Sequence, residues 1–215
     1  MSSEADELSG GLEPANGKVS MTLAIGGYFF VIAFALAHLE IQIEGPHGWA
    51  EKLPTRRWDS PRVRRWLGRP VTGYHLCLGM VLLLLLHVPQ FYGGSWEREA
   101  DLLALFFVLT VTWDFLWFAC NRHFGMGRFR KGEVWWFPAW ALGVPRPYLM
   151  TITLSFAAAL APALWTGAWA DRAQRWALVF GELLVLTTVV VAVTRLPRRR
   201  RRVSALPAAA TRDPR

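Results

Sequence analysis

The chain has 215 residues, of which 53% are hydrophobic and 12 are Trp, with a formal net charge of +8. So apolar a composition exceeds what a soluble domain of this length can bury, which excludes an ordinary water-soluble globular protein. The positive charge lies in blocks between apolar runs, a pattern that signals membrane topology rather than a nucleic-acid-binding face.

Residues 1–20 are polar, carry Glu4, Asp6, Glu7 and Glu13, and show no helical or strand period, which predicts a disordered tail. The first apolar run is Met21–Ala37. Its end, Ala35-Leu36-Ala37, resembles a signal-peptide cleavage site, but only Lys18 precedes it against four acids, the wrong charge for a leader. Further runs follow at about Thr72–Phe91, Leu102–Cys120, Leu149–Trp165 and Trp176–Thr194. Each is close to the roughly 20 residues that cross a ~30 Å hydrocarbon core, and none alternates polar with apolar as a barrel strand does. The fold class is therefore all-α: a polytopic membrane protein with five transmembrane helices over residues 21–195. Cytoplasmic interfacial segments are expected near 46–71 and 121–148, and a basic disordered tail over 196–215. Cys77 and Cys120 have neither zinc nor disulfide spacing and read as small buried hydrophobes.

Orientation follows from the basic residues. The loop after the first helix holds Lys52, Arg56, Arg57, Arg62, Arg64, Arg65 and Arg69; with the loop after the third helix and the tail, 20 of the 24 Lys and Arg fall on one side. Placing that side in the cytoplasm puts the N-terminus outside, the C-terminus inside, and the protein in the cell membrane. Cleavage at Ala37 would reverse this arrangement. Trp and Tyr residues then fall at both interfaces, with Trp49, Trp135, Trp136, Trp140 and Tyr148 at the inner one. The Pro-broken segment Gly132–Pro147 is expected to lie on the inner surface with its tryptophans in the headgroups. Arg198–Arg202 suits contact with anionic lipid.

Several polar groups share the inner half of the bilayer. His38, Glu40 and Glu44 end the first helix, His75 begins the second, and Asp114 lies about 9 Å up the third from Cys120. Glu40 and Glu44, four residues apart, share a face. Pro46–Leu53 suits a short interfacial helix. Thr110, Asp114, Trp117 and Asn121 form one polar stripe that should face other helices. His, Glu and Asp from three helices at one depth are what a metal site requires, and equally a proton relay or acid pair. The candidate metal ligands are His38, Glu40, His75 and Asp114, and the candidate acids are Glu40 and Asp114. The plainer alternative has His38, Glu40 and Glu44 in the headgroups, paired with loop arginines. In the outer half, His87 and Glu182 match in depth and read as a structural pair.

Known chemistries fall away. Five histidines without HxxxH or HxxHH boxes exclude a membrane desaturase, and no HExxH, P-loop, GxSxG, GxGxxG or CxxCH stands in a working context. The run Glu44-Gly45-Pro46-His47-Gly48-Trp49-Ala50-Glu51-Lys52-Leu53-Pro54-Thr55 resembles the signature of a family of uncharacterised prokaryotic multi-pass membrane proteins. Gly73-Tyr74-His75, Trp113-Asp114-Phe115-Leu116-Trp117-Phe118 with Asn121, and Trp135-Trp136 resemble its later motifs. The likeness implies a fold and a site location within residues 38–148. Trp113 stands where that pattern has an acid, Phe137 where it has a His, and Arg122 where it has a Pro.

Two functions fit. One is an enzyme acting on a lipid or isoprenoid-like substrate at the inner leaflet, by chemistry at a divalent metal or by acid–base chemistry. The other is a non-catalytic membrane subunit, bound to a membrane protein partner, with a degenerate site. Transport ranks third, because no inverted repeat is visible. The topology has its own test: a C-terminal reporter active only in the cytoplasm is expected to be active, and an inactive one would reverse the orientation.

Overall fold

The structure, a computed structural model, describes residues 13–195. Its elements are α1 (Glu13–Glu44), β1 (Arg57–Trp58), α2 (Pro61–Leu67), β2 (Val71–Thr72), α3 (Gly73–His87), α4 (Trp96–Cys120), β3 (Trp140–Ala141), β4 (Val144–Pro145), α5 (Arg146–Leu160), α6 (Ala163–Thr166) and α7 (Trp169–Arg195). A 3₁₀ turn, Val88–Tyr92, extends α3. Five helical segments of 20 to 29 residues are long and apolar enough to cross a membrane.

The apolar runs locate these spans well, and local chemistry sets their ends. Thr72 caps α3 and Ser95 caps α4, each accepting a backbone N–H of the first turn, with Glu97 and Glu99 favoured at the positive end of α4. At the other extreme, α1 stops at Gly45, whose φ of 60° suits a residue without Cβ. The helix begins earlier than the apolar run does: residues 13–20, read from the sequence as part of a disordered tail, are helical. The disorder expected for residues 1–12 and 196–215, and the lipid contact of Arg198–Arg202, lie outside the described residues.

Helix α4 is the centre of the bundle. Half of its most apolar stretch is buried, against 6–22% for the other four spans. Lipid tails are as apolar as the helices, so close approach and hydrogen bonding drive this packing, and small residues mark the contacts. Ala100 and Ala104 of α4 and Ser155 and Ala159 of α5 are all buried. Ser155 donates to the Ala104 carbonyl at 2.7 Å and accepts from the Trp176 indole of α7 at 2.9 Å. Phe29, Ala33 and Ala37 of α1 join Leu109, Trp113 and Leu116 of α4 in one apolar cluster. Only α3 stays peripheral, burying Leu82 alone, with Cys77 exposed rather than buried.

Two expectations for the connecting segments are corrected. Pro46–Leu53 is not a helix but a run of turns, with Trp49 at φ 58° and Ala50 at φ 51°. In the segment Gly132–Pro147, Trp135 is exposed as a surface-lying segment would have it, but Trp136 is not. Val134, Trp136 and Phe137 are almost fully buried, and Trp136 stacks on Phe118 with 15° between the planes. Ring faces and edges packed against Trp117, Phe118 and Phe124 bury more apolar area than a headgroup layer offers. This segment plugs the Glu44 end of the bundle. The pairing of His87 with Glu182 does not form either. His87 meets Glu99 at 2.8 Å, whereas Glu182 packs on Gly26 of α1.

Packing at Ala33 has a measurable consequence. Ala33→Leu is expected to lower stability in detergent by about 1–3 kcal/mol, because its site is closed on all sides. Val31→Leu, on a lipid-facing position that is 63% exposed, should change it by under about 0.5 kcal/mol. Chemical unfolding of the two variants in micelles checks the difference.

Candidate functional site

The packing stripe of α1 does not end with its apolar residues. Phe29, Ala33 and Ala37 continue at helical spacing into Glu40 and Glu44, and all five are buried. The face that holds α1 in the bundle therefore delivers two carboxylates to one end of it. His38 lies two residues, or about 200°, from Glu40 around the helix. It is exposed, with Nδ1 on the Phe34 carbonyl at 3.0 Å, and does not join the site.

His75 meets the two carboxylates from the first turn of α3. Its Nε2 lies 3.2 Å from Glu40 Oε1 and 3.6 Å from Glu44 Oε1. Its Nδ1 lies 2.5 Å from the Thr72 hydroxyl. Thr72 is thus both helix cap and orienting partner, holding the imidazole with Nε2 towards the acids. One ligand atom from each of Glu40, Glu44 and His75 falls within 4.8 Å of the others. Headgroup exposure of Glu40 and Glu44, the plainer alternative, is not what the structure has.

The turns after α1 complete the enclosure. The Ala50 N–H donates to Glu44 Oε1 at 2.5 Å, which the left-handed backbone at Trp49 and Ala50 makes possible. Left-handed non-glycine residues cost of order 1–3 kcal/mol each and persist where surrounding contacts hold them. Here those contacts are evident. The Trp49 indole donates to the Pro70 carbonyl at 2.8 Å and its ring stacks on His75, centroids 4.1 Å apart. The Arg57 guanidinium donates to the Ala50 carbonyl. Gly48 is required beneath this turn, because a Cβ there would collide with the Trp136 ring.

Arg69 also turns inward. Its guanidinium carbon lies 3.4 Å from the Trp49 ring centroid and 4.8 Å from that of Phe137. Burial pushes this group down to about 10, against the opposing pull of Asp114, Tyr148 and Glu40, and it stays charged near neutrality. Its Nη1 is buried without a hydrogen-bond partner among the described residues. Asp114 accepts a hydrogen bond from the Tyr148 hydroxyl and faces the same cavity, but is not one of the three converging ligands. The cavity, about 190 Å³, is lined at its polar end by Glu40, Trp49, Arg69, His75, Asp114 and Tyr148. A larger one, about 910 Å³, opens at the opposite end. No group of converging ligands lies there among the described residues, and its buried Arg172 is already held by the Ala159 carbonyl and Asp101, both at 2.5 Å.

Of the residues singled out from the sequence, Glu40, His75 and Asp114 come together and His38 does not. Glu44, Arg69, Thr72, Trp49 and Tyr148 were missed as site members. Glu44 had a signal, since Phe29, Ala33 and Ala37 point along the helix to it. Arg69 had none, being one basic residue among seven in its loop. The polar stripe of α4 does face inward. Thr110 and Asp114 line the cavity, whereas Asn121 donates to the Gly45 carbonyl at 2.8 Å and accepts from the His123 and Phe124 N–H groups. Trp113 and Phe137 are core residues, 7% and 2% exposed. Comparison with known protein families, with curated proteins and with solved structures finds no match to this chain.

Asn121 is the latch between the α1 turn and the end of α4. Asn121→Ala leaves one buried carbonyl and two N–H groups short of a partner, and is expected to cost about 1–3 kcal/mol. Unfolding in micelles reads the loss, and Asn121→Asp should restore part of it by keeping the acceptor.

Proposed function

We propose that the protein is a membrane-embedded enzyme acting on a lipid-like substrate near the cytoplasmic leaflet, with a divalent cation held by Glu40, Glu44 and His75. The observation that carries this is the convergence of those three ligand atoms from two helices, two of them, Glu40 and His75, at the wall of a cavity. If Glu40, Glu44 and Asp114 are ionised and Arg69 is charged, the site carries a net charge of minus two, which a divalent ion offsets. Two carboxylates and one imidazole suit Mn²⁺, Fe²⁺ or Zn²⁺. Bound there, such an ion would polarise a substrate oxygen. Asp114, backed by the Tyr148 hydroxyl, is the acid–base group beside it. The resemblance to a family of prokaryotic multi-pass membrane proteins supports this location, since Glu44, His75 and Asp114 all fall within its motifs. A second reading, a non-catalytic subunit, is favoured by one observation: Trp113 and Phe137, where that pattern has an acid and a His, serve as packing.

Metal analysis separates the two. Detergent-purified protein dialysed against Mn²⁺ or Zn²⁺ is expected to retain about one ion per chain. Glu44→Gln and His75→Ala should each weaken retention at least tenfold, and His38→Ala should leave it unchanged. A wild-type protein that retains no ion would overturn the metal site.

A further inference from the structure

Arg69 is the one member of the site that ion binding leaves unexplained. A charged donor buried without a partner costs more than the roughly 1–3 kcal/mol of a neutral one, so its persistence calls for an acceptor. Trp49 and Phe137 lie against the guanidinium, and its N–H donors radiate in its plane, where Nη1 has no partner among the described residues. Arg69 lines the same cavity as Glu40 and His75. We propose that this cavity holds the phosphate headgroup of an amphiphile, with the Arg69 guanidinium as the group that recognises it. The inference rests on the metal reading above, and names the substrate class of that site.

Three features favour a phosphate on an apolar tail. Phosphate has oxygens enough to accept from a guanidinium fork and to complete the coordination of a divalent ion at once. A phosphate oxygen would give the charged Nη1 the acceptor it lacks among the described residues. The cavity, about 190 Å³, is smaller than the roughly 300 Å³ at which pockets for drug-sized ligands begin, so it takes a head and not a whole lipid. The tail has a way out. Gly79 lines the cavity one turn, about 6 Å, above His75, and a Cβ there would meet nothing within 4 Å. Helix α3 buries only Leu82, and the proposed path of the tail runs between it and α4.

The test titrates three probes into the purified full-length protein in non-ionic detergent, with and without Mn²⁺: dioctanoyl phosphatidate, dioctanoylglycerol and inorganic phosphate. Wild type with Mn²⁺ is expected to bind phosphatidate at least tenfold tighter than either of the others. Arg69→Gln should abolish that margin while Mn²⁺ stoichiometry is kept. Arg69→Lys, which keeps the charge but not the fork, should lose several-fold, and it decides the matter if the Gln variant does not fold. Gly79→Leu should weaken phosphatidate at least tenfold and leave inorganic phosphate unchanged. Phosphatidate binding that survives in both Arg69 variants, or equal binding of dioctanoylglycerol, overturns the proposal. Inorganic phosphate binding as tightly as phosphatidate overturns the amphiphile as occupant. Mn²⁺ bound without any phosphatidate overturns this inference and spares the metal site. Arg69-dependent phosphatidate binding in a protein that takes up no Mn²⁺ does the reverse.

Discussion

Two carboxylates on the packing face of a membrane helix are the constraint to which the rest of this end of the molecule answers. Glu40 and Glu44 are both almost fully buried, on the same stripe of α1 that seats Ala33 and Ala37 against the bundle. Rotating them out to headgroups would rotate the small residues out as well. Unpaired acids at that depth cost several kcal/mol, so partners must be brought to them. The imidazole of His75, the N–H of Ala50 and the charge of Arg69 are those partners, and each arrives from a segment that would otherwise have no reason to turn inward.

The polar site is built on an apolar plug. The chain beyond α4 folds back over the end of the bundle and buries Val134, Trp136 and Phe137 among the aromatic side chains of α4. Phe137 then becomes a wall of the cavity, against which Arg69 lies. Trp136 presses on Gly48 and so sets the height of the α1 turn. Asn121 joins the two pieces by holding the Gly45 carbonyl. A low-dielectric floor of this kind strengthens every charge interaction above it.

The two halves of the membrane domain are thereby different in kind. At the Glu44 end, acids, imidazole and guanidinium crowd one small cavity. At the other end, the buried Arg172 is satisfied by Asp101 and a carbonyl, and His87 by Glu99, so those charges serve packing. Depth along the helix is the same sort of information for both ends. What distinguishes them is whether the groups converge on open space or on each other.

That difference marks how much was legible in the residues alone. Hydropathy located all five spans, because insertion is a sum over each segment's own residues and needs no knowledge of neighbours. Helical periodicity put Glu40 and Glu44 on one face, and carried to Phe29, Ala33 and Ala37 it would have turned that face inward and His38 outward. The positions of His75 and Asp114 at one level followed from counting residues along helices of known rise. Tertiary structure alone decided the rest. Which loop arginine leaves the solvent, whether Trp136 faces headgroups or core, and which carboxylate His75 meets all depend on the path of irregular chain between helices and on their rotation against one another. No local pattern encodes those, since they are settled by packing between residues far apart in sequence. The candidate ligand set His38, Glu40, His75 and Asp114 therefore resolves into Glu40, Glu44 and His75 together, with Asp114 and Arg69 beside them.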